Sequence, residues 1–388
     1  MKRLFWALAA ALMMFAPAAL AQTAQEITDT CTLSAVGKKT LGRMTDGQYQ
    51  TYWASSSGSY AYVEIEAEES VGGLYVQFYE DIAALEVQTT DDAGAWRTVA
   101  VSGGSFLNEY IALDAGTETV RIRPKDGKGR LFIAELHVFG EGDAPDWVQQ
   151  WEAPLDKADL LALAAHPDDE LLFLGGTIPY YAGEMGRKVQ VAYLVPTMPY
   201  RRLELLDGLW LCGVKNYPMI GHFPDKYQLT LKGMYAQKGW SRESVYRFVA
   251  EIYRACRPDV VVTQDVNGEY GHGAHRAAAD AAQAAIALAA DENDQEKMTH
   301  SEPWQVKKLY LHLYEQNPVK MDWRKPLAAF GGQTAFDLAS RAFECHISQQ
   351  RTDYHVEDFG PYDNSKFGLA YSAVGEDVQK DDFFENLE

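Results

Sequence analysis

Asp159-Leu160-Leu161-Ala162-Leu163-Ala164-Ala165-His166-Pro167-Asp168-Asp169-Glu170 is an apolar run that stops abruptly in five residues, four of them able to bind metals or move protons. A continuous apolar run of this length is expected of a β-strand buried on both faces, as in a parallel sheet covered by helices. The pattern recurs downstream. Val260-Val261-Val262-Thr263 is a second buried strand, followed by Asp265-Val266-Asn267-Gly268-Glu269-Tyr270-Gly271-His272-Gly273-Ala274-His275. In open α/β sheets, ligands gather at the carboxyl ends of the strands. Both loops should therefore lie at one edge of one sheet.

The segments around these strands alternate. Residues 170–183, 201–212, 241–256 and 275–290 have helical spacing. Ser241-x-x-Ser244 opens the third of these, and Pro258 follows its end. Strands are expected over 188–195 and 306–314. Such alternation predicts a Rossmann-like α/β layer fold with a mainly parallel sheet.

The first half reads differently. Short apolar and aromatic runs over 60–65, 74–79, 84–88, 96–101, 119–123 and 131–139 are separated by Gly-rich or Asp-rich breaks. This spacing predicts an antiparallel β-sandwich. The chain is thus expected to be multidomain: a sandwich over 22–142, a linker rich in turn residues over 143–156, and an α/β domain with a C-terminal extension over 157–388. Residues 1–21 have a basic start, a short apolar run and an Ala19-Leu20-Ala21 cleavage site. These are the parts of a signal peptide, so a secreted or extracytoplasmic protein is expected, without stable membrane insertion after cleavage.

The formal charge of −20 at pH 7 argues against nucleic acid and anionic membranes as partners. Cys31, Cys212, Cys256 and Cys345 are scattered without C-x-x-C spacing, so they predict no cysteine zinc cluster. Disulfides between them cannot be assigned from spacing.

A catalytic zinc ion takes about three nitrogen or oxygen ligands and keeps an open position. One His and one Asp from the first loop and one His from the second would supply that set. Adjacent Asp168 and Asp169 cannot readily point the same way, so one can ligate while the other faces water. A bland reading stands beside this one: His-Pro-Asp-Asp also suits a turn whose carboxylates cap a helix.

Ala165-His166-Pro167-Asp168-Asp169-Glu170 and Tyr270-Gly271-His272-Gly273-Ala274-His275 resemble the two signatures of PIG-L (LmbE-like) N-acetylglucosaminyl deacetylases, over residues 157–300. The resemblance implies Zn2+ held by His166, Asp169 and His275, with Asp168 as general base. It implies His272 as oxyanion stabiliser or acid, and Tyr270 beside the oxyanion. Arg201, in a stretch similar to the family's R-x-x-E-L, and Asp225 would contact substrate. Many members read H-P-D-H where this chain has His272-Gly273-Ala274-His275, which removes an aspartate that would orient the first His. Glu269 or Asp265 is a candidate substitute. The other histidines, His312 and His346 among them, have no partner at metal spacing and read as structural or exposed.

Thr45-Asp46-Gly47, Thr51-Tyr52-Trp53 and the closing strand Phe132–Gly140 resemble the discoidin or galactose-binding-like jelly roll over 28–141. Such domains often bind glycans through end loops. Tyr52, Trp53 and Trp96 suit sugar stacking or the core, with the core favoured for Trp53. The expected activity is hydrolysis of an N-acetyl group on an amino sugar or glycan. The alternatives are a zinc amidase acting on another acylated amine, and a glycan-binding protein whose deacetylase-like domain is inactive.

Overall fold

A computed structural model of the chain describes residues 22–387, except 37–39, 81–83, 115, 126, 128, 294–298, 300, 301, 351 and 352. The targeting segment expected over 1–21 lies outside the described residues. Among the described residues no helix is long and apolar enough to cross a membrane, and the four cysteines are free.

The first nine strands are β1 (Thr32–Ser34), β2 (Trp53–Ala54), β3 (Val63–Glu66), β4 (Gly73–Phe78), β5 (Leu85–Thr90), β6 (Trp96–Val101), β7 (Asn108–Ala112), β8 (Thr119–Pro124) and β9 (Phe132–Phe139). They form two antiparallel sheets, ordered β1-β3-β8-β5-β6 and β2-β9-β4-β7. Inward residues alternate along β8, where Val120 and Ile122 are buried, and along β3, where Val63 and Ile65 are. They share a core with Leu74, Val76, Leu136 and Val138 of the second sheet. Trp53 fills this core at 1% exposure. Tyr52 stacks on Tyr79 with ring centroids 4.2 Å apart, and Trp96 lies under the Arg121 guanidinium at 3.9 Å. The short strands β1, β2 and β7 escape the sequence reading. In β7, Asn-Glu-Tyr-Ile-Ala has little of the β-branched composition that marks a strand.

The second half contains β10 (Leu160–Ala164), β11 (Val189–Tyr193), β12 (Met219–Ile220), β13 (Val260–Thr263), β14 (Lys308–His312), β15 (Pro318–Lys320) and β16 (Lys366–Ser372). Its helices are α1 (Asp169–Leu172), α2 (Pro199–Leu211), α3 (Leu231–Tyr235), α4 (Arg242–Cys256), α5 (Gly273–Ala290) and α6 (Ala335–Glu344). One seven-stranded sheet runs β12-β11-β10-β13-β14-β16-β15. The five strands from β12 to β14 are parallel, as expected. The expectation is corrected at one edge, where β16 pairs antiparallel with both β14 and β15. An antiparallel strand can join an edge without a crossover helix, so the returning C-terminal segment closes the sheet there.

Both faces of the sheet are covered. Leu160, Ala162 and Ala164 pack with α2 and α6, whereas Leu161, Leu163 and Ala165 pack with α4 and α5. Burying each large aliphatic side chain contributes about 1.5–3 kcal/mol. Buried alanines of α5 at 277, 278, 281, 282 and 285 bring it close to α4 and the sheet. Ser241 caps α4 by accepting from Ser244 N, and Arg257 ends it in the left-handed conformation.

The helix expected over 170–183 does not form in one piece. It stops after Leu172 and resumes as a wide helical turn at Pro179–Glu184. Gly175 has φ +55°, and a Cβ there would lie 2.5 Å from Asn364 Cγ; one on Gly176 would lie 2.7 Å from Ala335 Cβ. The bare glycines let the C-terminal segment press against the sheet edge, which an unbroken helix would prevent.

Residues 143–156 are packed against the α/β half. Trp151 is 7% exposed and meets Trp210 and Tyr217 edge to face. Asp207 of α2 accepts from Tyr49 Oη (2.8 Å) and Gln149 Nε2 (2.5 Å), joining the two halves through a buried carboxylate.

Candidate active site

Three neighbouring strands deliver the site. β10 ends two residues before His166, β13 leads into the loop 264–272, and β14 ends on His312. Their carboxyl ends point the same way because the strands are parallel. The two sequence motifs therefore meet, as expected.

The centre is a knot of imidazoles around Asp169. Ring nitrogens of His166, His272 and His275 lie within 4.8 Å of one another. Asp169 Oδ2 lies 3.0 Å from His166 Nδ1, and Asp169 Oδ1 lies 3.3 Å from His275 Nε2. The other nitrogen of His275 bonds Glu269 Oε2 at 2.8 Å. His275 Nε2 is buried without a hydrogen-bond partner. An orphaned imidazole nitrogen costs free energy unless something else occupies it. Facing a carboxylate and two other imidazoles, it fits a divalent metal. His166, Asp169 and His275 are the candidate donors of such a set.

Burial works to raise Asp169, but the imidazoles of His275 and His166 outweigh it and hold its carboxyl below the usual range. Glu269 follows the same logic. Burial is outweighed by bonds to His275 and to His312, whose Nδ1 is 2.6 Å away, and the carboxyl is held well below normal. Glu269 is thus a carboxylate that orients the His275 imidazole, as carboxylates do behind ligating histidines. It serves His275 rather than His272, so it does not replace the aspartate absent between them. His312, read from sequence as structural or exposed, is buried and supports Glu269 from the opposite side.

His272 has a different anchor. Its Nδ1 accepts from Ala274 N at 3.3 Å, capping α5. The proton of the neutral ring therefore sits on Nε2. Burial, then the neighbouring imidazoles of His275 and His166, push His272 down to about 3.

Asp168 bonds none of the imidazoles. It accepts from Arg201 Nη2 at 2.9 Å, and the same nitrogen donates to Pro167 O at 2.7 Å. Its backbone has φ +112°, a conformation rare for any residue but glycine. Strain of this kind concentrates at functional sites and is held by surrounding bonds. Here the holder is Glu170, which accepts from Asp168 N at 2.9 Å. Asp168 makes no side-chain cap to α1, so helix capping does not account for the motif. Burial, then the charge of Asp169, push Asp168 up to about 7 against the pull of Arg201.

His166, Asp168, Asp169, Arg201, Asp225, Tyr270 and His272 all line one cavity of about 170 Å³, with His275 buried behind it. Asp225 Oδ1 is 3.9 Å from His166 Nε2. Tyr270 has φ +44°, which turns its ring to within 5.2 Å of His275. Every site residue expected from sequence is therefore brought together. Sequence reading missed Phe173, Gln349 and Tyr354 in the wall, and His346, 3.7 Å from Glu170. A signal existed for His312, which ends a buried strand at the same sheet edge. None existed for Gln349, in a single 3-10 turn, or for Tyr354, in irregular chain.

The sheet and its buried histidine–carboxylate centre define an α/β protein with a potential metal site. Residues 161–286, from β10 through most of α5, match the model of the PIG-L family, described as GlcNAc-PI de-N-acetylase. A 1D-myo-inositol 2-acetamido-2-deoxy-alpha-D-glucopyranoside deacetylase of Kineococcus radiotolerans is 29% identical over 239 residues, covering 50% of this chain and 65% of the relative. The enzyme of the same description from Saccharopolyspora erythraea, numbered 2, is 33% identical over 181 residues, covering 40% and 65%. The chain thus spans just under two thirds of the length of each. A solved structure of N,N'-diacetylchitobiose deacetylase from Pyrococcus horikoshii aligns with TM-score 0.39 and 21% identity, over 53% of this chain and 75% of that one.

Proposed function

We propose that the chain hydrolyses an N-acetyl group on an amino sugar or glycan, using Zn2+ held by His166, Asp169 and His275. The single observation that carries the reading is the placement of Asp168. A second carboxylate, held by Arg201, shares the cavity with the imidazole centre but bonds none of its histidines. The match to PIG-L and the deacetylase relatives supports the choice of an acetamide.

When bound, Zn2+ supplies a Lewis acid and lowers the pKa of water. The chain's own residues do the rest. Asp168 accepts a proton from the attacking water as its oxygen bonds the acetamide carbon. The Nε2–H of His272, fixed as a donor by the Ala274 N–H on its other nitrogen, meets the oxyanion that develops there. Tyr270, in the same cavity wall, would assist there. The C–N bond then breaks, Asp168 returns its proton to the departing amine, and acetate and a free amine leave. Arg201 fixes Asp168 and, with Asp225, contacts the sugar. The sandwich, proposed as galactose-binding-like, would bring glycan to the site. We place the protein outside the cytoplasm on the composition of residues 1–21.

The test is a screen of acetate release from N-acetylglucosamine, its oligomers and acylated amines without a sugar. The reading predicts equal yields of acetate and amine from the sugars, abolished by a chelator and restored by Zn2+. Hydrolysis confined to the amines without a sugar would favour the amidase alternative instead.

A further inference from the structure

The cavity holds too little for a whole glycan. Its volume of about 170 Å³ is below the roughly 300–1,000 Å³ of pockets that enclose a drug-sized ligand. An acetamide and the ring edge bearing it can enter, and whatever is linked to that ring must lie across the rim. Two tyrosines stand on this rim. Tyr227 is 66% exposed, with its ring centroid 5.3 Å from that of His272. Tyr354 is 37% exposed, forms part of the cavity wall and lies 5.0 Å from the Tyr270 ring. They arrive from separate segments, the chain between β12 and α3 and the chain between α6 and β16. Asp225, two residues before Tyr227, adds a half-exposed carboxylate to the same cavity wall as Tyr354.

An exposed aromatic ring costs solvation unless something covers it, and the C–H face of a pyranose suits that cover. A carboxylate alongside can accept from sugar hydroxyls. We infer that Tyr227, Tyr354 and Asp225 form a second sugar subsite, holding the pyranose linked to the one whose acetamide reacts. The substrate is then a glycan of at least two sugars rather than a free monosaccharide. This inference rests on the deacetylase reading, from which its test can be separated.

Acetate release is measured on N-acetylglucosamine and on its disaccharide and trisaccharide, with wild type, Tyr354→Phe and a Tyr227→Ala, Tyr354→Ala double variant. The subsite predicts a higher kcat/KM on oligomers in the wild type. In the double variant the oligomer-to-monosaccharide ratio should fall roughly tenfold, mostly through KM, whereas Tyr354→Phe keeps it because the ring remains. An unchanged ratio would overturn the subsite. Calorimetric binding of the fully deacetylated trisaccharide reads the same subsite without turnover. Binding about tenfold weaker in the double variant supports it even if no acetate is released, a result that would remove only the hydrolase reading. Equal binding by wild type and double variant, or none by either, overturns it.

Discussion

Arg201 Nη2 lies 2.9 Å from Asp168 Oδ2, tying the start of α2 to the strained turn after β10. Both side chains are nearly buried, so this ion pair is weakly screened. Removing the guanidinium would leave a buried carboxylate without its cation and free it to turn. Arg201→Ala should lower kcat/KM by about 100-fold while metal content stays near that of the wild type. Steady-state kinetics alongside elemental analysis checks both halves of this expectation.

Glu269 is a shared acceptor for two buried imidazoles, and Gln cannot replace it without loss. An amide offers one oxygen where Glu269 gives one to His275 and one to His312. Glu269→Gln should weaken metal retention by roughly 10–100-fold, as outer carboxylates on ligating histidines do elsewhere. Competition with a chromogenic chelator measures it, and unchanged retention would place the metal away from His275.

The parts of this site that are legible in sequence share one cause. β10 and β13 must be apolar throughout because both faces are covered, so any polar cluster directly after them marks the sheet's carboxyl edge. The parts that are not legible depend on long-range packing. Glu269 and His312 are 43 residues apart, and no spacing rule joins them. Gln349 lies in a single 3-10 turn and Tyr354 in irregular chain, so no periodicity marks either. Chemistry alone says that the two aspartates differ in role, and only the family resemblance says which is which; Arg201 as the partner of Asp168 is visible only in the fold.

The junction of the two halves rests on Asp207, and the Tyr49 hydroxyl is one of its two donors. Burial pushes Asp207 up to about 6, so the remaining bonds to its charged form matter. Tyr49→Phe removes a donor and also deprives Gln77 Nε2 of its acceptor. The expected cost is about 1–3 kcal/mol, read as a lower denaturant midpoint with little change in kcat on a monosaccharide.

Glu135 gives the sandwich a pH dependence. It is buried on β9, and burial, opposed by bonds from Gln48 and Gly47, raises its carboxyl to about 7. The folded chain therefore binds this proton more tightly than the unfolded chain, whose group titrates near its ordinary value of 4.5. The stabilising effect is whole below that value and is lost as pH rises from about 4.5 through about 7. Glu135→Gln keeps an acceptor for Gln48 N and has no charge to bury. Relative to the wild type, this variant should gain on the order of 1–2 kcal/mol between pH 5 and 8, after allowance for solvent screening. Melting curves across that range test it, and a constant difference would contradict it.

The central claim is that Asp168 moves the proton while its neighbours hold the metal, and Asp168→Asn separates the two most directly. The amide preserves size and can still accept from Arg201, but it cannot take a proton from water. Acetate release per bound metal is the measurement. The account predicts metal content equal to that of the wild type and a kcat lower by about 100-fold to 10,000-fold. Turnover within a few-fold of the wild type at full metal content would contradict it.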